Sequence, residues 1–269
     1  RAAEEIAGTL AGPEGEVWVV APALEQSAVS HAISYVRPMR IEQWDDRRFA
    51  VEGSPADCVM AALGDILPSA PDLVLSGVNR GHNVAEDTVY SGTVGGAREA
   101  AMRGCRAIAL SQYHGPQNRA LDDPFAAARA EGAAVCTALK DHAPWHDAPY
   151  GVFYNINFPP VAPAEVAGVK ATTQGHRAEP SFGVAAQTAP NGRKYYWLTH
   201  GSGNATAQPG SDARECAEGF VTVTPLRADM TAHATLPALA EALNERGCRS
   251  HHELCPGPAR PGHHRPRRS

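Results

Sequence analysis

The sequence has no long apolar run, no excess of basic charge and no pattern of a secretory leader. No stretch approaches the roughly 18 consecutive apolar residues that a membrane-spanning helix needs, and the first residues do not resemble a signal peptide. The formal net charge of −5 gives no electrostatic basis for binding nucleic-acid polymers or membrane surfaces. We therefore predict a cytoplasmic protein that has neither of these partners.

The chain also lacks the cysteine spacing of a disulfide framework or a zinc site. Six cysteines stand at wide and irregular intervals, namely Cys58, Cys105, Cys136, Cys216, Cys248 and Cys255. The first three lie in apolar helical or strand-edge contexts, and we expect them to be buried free thiols.

Two common active-site signatures are missing. Ser91 stands in the sequence YSGT, without a glycine two residues before it, so the GxSxG turn of nucleophilic-serine enzymes is absent. No GxGxxG follows the apolar runs that end near Ala21 and Ser76. This disfavours a nicotinamide-dependent oxidoreductase.

What the sequence does contain is a strand-helix-strand pattern between Pro71 and Leu110. An apolar run at Leu73–Leu75 is followed by a polar loop, by a small-residue helix from Ser91 to Gly104, and by a second apolar run at Ile108–Leu110. This order predicts two parallel strands joined by a crossover helix. With 43% hydrophobic and 20% charged residues, the chain has enough apolar material for a sizeable α/β core.

Polar side chains gather where the predicted strands end. Ser27 follows a predicted strand at Glu16–Ala21, and Asn79 follows the strand at Leu73–Leu75. The start of the predicted helix, Ser91-Gly92-Thr93, offers free N–H groups and a positive dipole end to an anion. Hydroxyl and amide oxygens suit a hard divalent cation, Mg²⁺, Mn²⁺ or Ca²⁺. Together these features favour phosphate-ester chemistry at a metal.

Two neutral oxygens alone hold a divalent cation poorly, so carboxylates are needed from elsewhere. The chain begins within a helical pattern, residues 1–10, whereas an α/β sheet normally opens with a strand. We expect that a strand precedes this sequence and supplies the carboxylates. Along the chain we predict an α/β core at residues 1–160, a β-rich extension with a closing helix at 161–244, and a disordered tail at 245–269.

At this point the sequence resembles the SurE family of 5′/3′-nucleotidases, which are metal-dependent phosphatases of nucleoside monophosphates. The similarity covers about residues 1–243. It rests on several ordered motifs, namely EVWVVAP, EQSAVSHAIS, EGSPADCV, PDLVLSGVNRGHN, YSGTVGGAREAAM and RAIALSQ. The resemblance implies a Rossmann-like, doubly wound and mostly parallel sheet with a smaller β-rich C-terminal extension, and assembly as a homodimer or homotetramer.

The resemblance also assigns roles to individual residues. In the family, two adjacent aspartates of a TNDDG motif, a serine and an asparagine hold the metal. The serine and asparagine correspond to Ser27 and Asn79, while the aspartate pair has no counterpart in this sequence. Ala28 stands where the family usually has glycine. The phosphate and substrate contacts correspond to Asn83, Ser91, Gly92 and Thr93.

Each of these residues also has a simpler structural interpretation. Ser27 can cap a turn, and Asn79 can hold its own loop through backbone hydrogen bonds. His31 suits a general acid by its ordinary pKa, but a structural or substrate-contacting role is the alternative. The function implied is the hydrolysis of nucleoside 5′- and 3′-monophosphates. The alternative is an inactive nucleotide- or phosphate-binding fragment that lacks the two aspartates.

Overall fold

The computed structural model describes residues 1–145, 150–177, 182–200 and 207–252. The chain divides into two compact units, Arg1–Asp229 and Met230–Ser269. The predicted boundary after residue 160 lies inside the first unit, and the predicted division into core and extension stays a prediction. In the described ranges no helix combines the length and the apolar character that a bilayer span requires.

The described residues form ten strands and eight α-helices, together with one π-helical segment (Ala62–Ile66) and two short 3₁₀ turns. The strands are β1 (Val19–Pro22), β2 (Ile41–Asp45), β3 (Arg48–Val51), β4 (Val74–Arg80), β5 (Ala107–Gln112), β6 (Phe153–Phe158), β7 (Gly168–Ala171), β8 (Phe182–Thr188), β9 (Lys194–His200) and β10 (Phe220–Leu226). The helices are α1 (Ala2–Ala11), α2 (Pro55–Ala61), α3 (Asp87–Tyr90), α4 (Gly92–Met102), α5 (Pro116–Arg119), α6 (Ala126–His142), α7 (Asp212–Ala217) and α8 (Leu236–His252).

The main sheet has five strands in the order β4-β5-β6-β10-β7, and its first three strands run parallel. The strand-helix-strand unit β4-α4-β5 confirms the parallel pair predicted around Pro71–Leu110. Apolar and polar residues alternate at Gly168–Thr173, which predicts an antiparallel strand. That prediction is wrong for β7, which runs parallel to β10, while β10 runs antiparallel to β6. The alternation of apolar and polar residues shows which face of a strand is solvated. It does not show whether the neighbouring strand runs parallel or antiparallel.

A second sheet, β1-β3-β2, has a parallel pair β1-β3 and an antiparallel pair β2-β3. The sequence predicts a short strand at residues 48–52, and β3 confirms it. Strand β2 was not predicted, because all five of its residues are exposed and give no periodic apolar signal. The hairpin β8-β9 forms a separate two-stranded ribbon.

Strand β4 is longer than the apolar run that predicts it. Its pairing with β5 shifts register between Ser76 and Asn79 and then resumes, so that Asn79 lies opposite Ser111 and Arg80 opposite Gln112. Asn79 and Arg80 follow the apolar run Leu73–Leu75 and are predicted to lie in the polar loop after the strand; that prediction is wrong, because both belong to β4. Because the strand continues beyond the irregularity at Gly77 while the apolar pattern stops there, the sequence alone indicates an end that is too early.

The two faces of the main sheet are covered by different helices. Helices α1 and α6 cover one face, where Ile6 of α1 packs with Leu110 of β5 and Phe158 of β6. Helix α4 covers the other face through Val94, Ala97 and its other small side chains. Cys58, Cys105, Cys136 and Cys216 are free thiols, as predicted for the first three, although Cys105 is only partly buried.

Ser54-Pro55 with an acidic residue at Asp57 predicts the start of a helix, and α2 confirms it. Ser54 is the N-cap, Pro55 is the first helical residue, and the backbone N–H of Asp57 donates to Ser54 Oγ at 3.1 Å. The Asp57 carboxylate accepts from Ser54 N at 2.8 Å and from Ser34 N and Ser34 Oγ, both at 2.9 Å. Asp57 is 2% exposed. It therefore closes the capping box and also fixes the loop that carries Ser34.

We expect Asp57→Ala to lower the free energy of unfolding by about 2–3 kcal/mol, because it leaves the buried N–H of Ser54 and the partly buried N–H of Ser34 without an acceptor. Burial alone raises the pKa of Asp57, but hydrogen bonds from Ser34 and Ser54 outweigh burial and hold that pKa below its usual value. The stabilisation is therefore complete above the unfolded-state pKa and is lost as pH falls through the lower folded-state pKa. Urea unfolding of both proteins at pH 7 and at pH 3 measures this. An equal difference at both values of pH contradicts the assignment.

The C-terminal helix extends further than its pattern predicts. A helix from Leu236 to about Asn244 is expected, and α8 continues to His252. The predicted disordered tail at 245–269 stays a prediction. Residues 253–269 lie outside the described residues.

Candidate functional site

The candidate site begins at the first turn of α4, on the polar edge of the main sheet. Ser91 is the N-cap, and its Oγ accepts from Val94 N at 3.1 Å. Among the described residues no protein acceptor takes the backbone N–H of Gly92 or Thr93. Two free N–H groups at the positive end of an 11-residue helix are a local arrangement suited to an anion.

The loop after β1 packs directly against this helix start. Ser30 N donates to Tyr90 O at 2.8 Å, and Ser30 Oγ donates to Val89 O at 2.7 Å. Gly95 of α4 permits this approach, since a Cβ there would lie 2.5 Å from Ser30 O. Ala28 in the same loop has a φ of 55°, a conformation that favours glycine. These contacts bring the loop that follows β1 to the start of α4, although β1 and β4 belong to different sheets and not to the one sheet that the sequence predicts.

Ser27 and Asn79 offer the oxygen atoms that were expected to hold a metal. Ser27 is exposed, and its Oγ donates only to Glu25 Oε1 at 3.2 Å. Asn79 Nδ2 donates to Gly81 O at 2.9 Å, which leaves Asn79 Oδ1 available as an acceptor. Hydroxyl and amide oxygens are suitable ligands for a hard cation, but both are neutral and do not balance its charge. The described residues contain no group of three carboxylate, histidine or cysteine side chains suited to a metal.

His31 is held by the side of α4. Its Nε2 lies 2.8 Å from Glu99 Oε2, and Glu99 also accepts from Arg103 Nε at 2.6 Å. The His31–Glu99 contact holds the loop that follows β1 against α4, two helical turns after Ser91. The contact accounts for His31 as a structural residue, and its role as a general acid stays a prediction.

Asn83 anchors the loop between β4 and α4. Its backbone N–H donates to Asn157 Oδ1 at 2.7 Å, and its carbonyl accepts from Asn155 Nδ2 at 2.7 Å. Its side-chain Nδ2 donates to Ser111 Oγ at 2.6 Å. Asn155 and Asn157 are completely buried in β6 and were not singled out in the sequence. The alternation of asparagine with apolar residues in YNINF was the available signal. A direct contact of Asn83 with substrate stays a prediction.

A buried arginine holds the next part of the same loop. The Arg177 side chain is fully buried, and its Nη2 donates to Asp87 Oδ2 at 2.8 Å and its Nη1 to Glu86 Oε2 at 3.2 Å. Arg177 N also donates to Glu86 Oε1 at 2.8 Å. Glu86 and Asp87 resemble a solvated loop face in the sequence, but they are the partners of a buried cation. No local sequence signal links residues so far apart in the chain.

Asp212 completes the support of this loop from α7. It accepts backbone N–H bonds from Ala85 at 3.1 Å and from Gly175 at 2.8 Å. Burial raises the pKa of Asp212 to about 6, although these hydrogen bonds and Arg177 favour the ionised form. The loop from Asn83 to Asp87 is therefore fixed by β6, by α7 and by Arg177, and it leads into the anion-ready start of α4.

Comparison with known proteins places this chain in a family. The family model described as "Survival protein SurE" matches residues 3–180. A curated relative from Cereibacter sphaeroides named "5'-nucleotidase SurE" is 56% identical over 241 residues, which are 89% of this chain and 92% of the relative. A relative of the same name from Roseobacter denitrificans is 54% identical over 237 residues, 88% of this chain and 91% of the relative. A crystal structure of the SurE protein from Aquifex aeolicus superposes with a TM-score of 0.72 at 32% identity. It covers 85% of this chain and 89% of that one.

Proposed function

The chain belongs to the SurE family, and from that premise we propose that it is a divalent-metal-dependent phosphomonoesterase that hydrolyses nucleoside 5′- and 3′-monophosphates. The observation that carries the proposal is the pair of free N–H groups at Gly92 and Thr93, next to the loop of Ser27. A phosphate ester needs such an anion site beside oxygen donors for a cation.

The residues of this chain bind and orient the phosphoryl group. Ser27 Oγ and Asn79 Oδ1 would hold the cation, and carboxylates would complete its charge. When bound, the cation supplies Lewis-acid polarisation of a phosphoryl oxygen and a water of lowered pKa. The N–H groups of Gly92 and Thr93 donate to the phosphoryl oxygens and stabilise the charge that develops on them. Asn83, Asp212 and Arg177 hold the intervening loop, so that these donors need no reorganisation during the reaction.

Phosphate release tests the proposal directly. We expect inorganic phosphate from AMP and from 3′-AMP in the presence of Mn²⁺ or Mg²⁺, and about 100-fold less from Asn79→Ala. Gln43→Ala, on the exposed strand β2, is the control and retains the rate.

Each protein is assayed as given and with an N-terminal strand ending in Asn-Asp-Asp-Gly. Activity only in the extended form identifies the given chain as an inactive fragment of the enzyme. Absence of activity in both forms overturns the proposal.

We also propose that the enzyme assembles as a homodimer or homotetramer through the hairpin β8-β9. On one face of this ribbon Val184 and Leu198 form a register pair, and Tyr196 lies beside them. Their exposed fractions are 64%, 75% and 66%. Such a contiguous apolar face is typical of a protein-protein interface. We take a second copy of the chain as the partner, because it is present wherever the protein is in solution.

Charges on that face of the hairpin are expected to dissociate the assembly. The double variant Tyr196→Glu/Leu198→Glu should elute as a monomer, because two carboxylates cannot be desolvated without partners. Gln187→Glu lies on the opposite face and is the matched control, which should assemble normally. Size-exclusion chromatography with light scattering measures the masses. A monomeric parent protein excludes the proposed interface.

A further inference from the structure

An aromatic side chain is attached directly beside the N–H groups of Gly92 and Thr93, which are called the phosphate cradle from here on. Tyr90 is the last residue of α3, and it precedes Ser91, the N-cap of α4. Because consecutive Cα atoms are about 3.8 Å apart, those of Tyr90 and Gly92 are separated by no more than about 7 Å. The phosphate site and the tyrosine are therefore immediate neighbours.

The backbone that carries the Tyr90 ring is held from both sides. Tyr90 O accepts from Ser30 N at 2.8 Å, and Val89 O accepts from Ser30 Oγ at 2.7 Å. On the other side Ser91 N donates to Asp87 O at 3.0 Å, and Asp87 is the partner of the buried Arg177. The ring is thus mounted on a segment that is fixed before any ligand binds, which lowers the cost of binding.

The Tyr90 side chain is turned outward. Asp87 and Thr88 of the same short helix are 6% and 3% exposed, whereas Tyr90 is 46% exposed. Phe182, the first residue of β8, packs against the Tyr90 ring with centroids 4.9 Å apart and ring planes at 75°. A T-shaped contact of this kind covers at most one face of a ring. Phe182 therefore supports Tyr90 and leaves at least one face of its ring uncovered.

The combination of the cradle and the exposed ring matches the two ends of a nucleotide. Anionic oxygens accept from the N–H groups of a helix start. A nucleobase stacks on an aromatic face, and stacking works for every base because each has a π-face. A sugar phosphate without a base has no flat group that the ring can contact. Tyr90 therefore gives the site a means of recognising the part of the substrate that does not react.

We propose that Tyr90, supported by Phe182, is the platform on which the nucleobase of the substrate stacks while its phosphate lies at the cradle. The inference rests on the proposed function, since it takes the ligand to be a nucleoside monophosphate. It predicts that the base adds affinity and that Tyr90 is the residue that supplies this gain.

Isothermal titration of the full chain with AMP and with ribose 5-phosphate tests the platform. The titrations contain a chelator and constant ionic strength, so that neither ligand is hydrolysed. We expect AMP to bind about tenfold more tightly than ribose 5-phosphate, as the stacking of one base on an aromatic side chain allows. In Tyr90→Ala and in Tyr90→Leu the ratio should fall to about one, with the affinity for ribose 5-phosphate unchanged. Tyr90→Phe keeps an aromatic face and should keep the ratio.

Tyr150→Ala is the matched control. Tyr150 is 50% exposed, and it adjoins Gly151, whose Cβ position would lie 3.6 Å from Ala101 O near the other end of α4. This variant loses an exposed tyrosine away from the cradle and should keep the tenfold ratio.

Three results overturn the platform. Equal affinities of the parent protein for the two ligands, or a ratio that persists in Tyr90→Ala, exclude Tyr90 as the base contact and leave the nucleotidase proposal to the phosphate-release assay. A Tyr90→Ala protein that keeps the ratio but changes its mass by light scattering assigns the ring to an interface between copies of the chain. Failure of both ligands to bind the parent protein overturns the platform together with the phosphate cradle.

Discussion

Replacing Arg177 by methionine is expected to lower the free energy of unfolding by about 3–5 kcal/mol. The variant removes a fully buried guanidinium and leaves the carboxylate of Asp87, which is 6% exposed, without its 2.8 Å partner. Glu86 is affected less, because it is partly solvated and keeps the backbone N–H of residue 177. The large cost reflects the desolvation of a buried carboxylate that has lost its guanidinium partner, rather than the attraction of the ion pair itself; His82 Nε2, 3.9 Å from Asp87 Oδ2, stays beside it.

Urea unfolding measures this cost, and Arg129→Met is the matched control. Arg129 also pairs with two carboxylates, those of Glu5 and Asp123, but at the protein surface. We expect Arg129→Met to cost less than about 1 kcal/mol, as is usual for exposed pairs. Arg177→Lys should lie between the two, because it keeps the charge but loses the planar fork. Similar costs for the two methionine variants contradict the assignment of Arg177 as a buried clamp.

The second large effect is expected at Gly77 in the middle of β4. Its φ is 136°, and a Cβ there would lie 2.2 Å from the backbone oxygen of Leu110. A backbone atom of the neighbouring strand cannot rotate away, so Gly77→Ala must separate β4 from β5 and also strain its own backbone. We expect a loss of about 3–5 kcal/mol from these two effects together.

Gly104→Ala separates the two contributions. Gly104 also has a positive φ, 83°, but nothing lies within 4 Å of its Cβ position. We expect this control to cost about 1–2 kcal/mol, from conformational strain alone. Thermal and urea unfolding of both variants give the comparison. If Gly77→Ala costs no more than Gly104→Ala, the close approach to Leu110 is not what requires glycine.

The separation of β4 from β5 also bears on function. Asn79 lies opposite Ser111 just beyond Gly77, and Ser111 accepts the side-chain hydrogen bond of Asn83. A displaced β4 therefore moves the proposed metal ligand and the loop that leads to α4 together. In the phosphate-release assay, Gly77→Ala should lose activity at temperatures where the protein is still folded.

Short-range patterns in the sequence were sufficient for several parts of the structure. Ser54 and Asp57 predict the start of α2, and Ser91 predicts the start of α4, because a helix cap depends on residues within one turn of each other. The parallel pair β4-β5 follows from two apolar runs and a helix between them. The family was also recognisable, since its motifs are contiguous stretches of chain.

The sequence by itself determined the helix starts, the parallel strand pair and the family, since each depends on neighbours along the chain. The tertiary structure alone decided which polar residues support the site. Asn83 meets Asn157 across 74 residues, and Arg177 meets Asp87 across 90. Such pairs leave no periodic trace, because their energy comes from burial and desolvation that exist only after the sheet has formed.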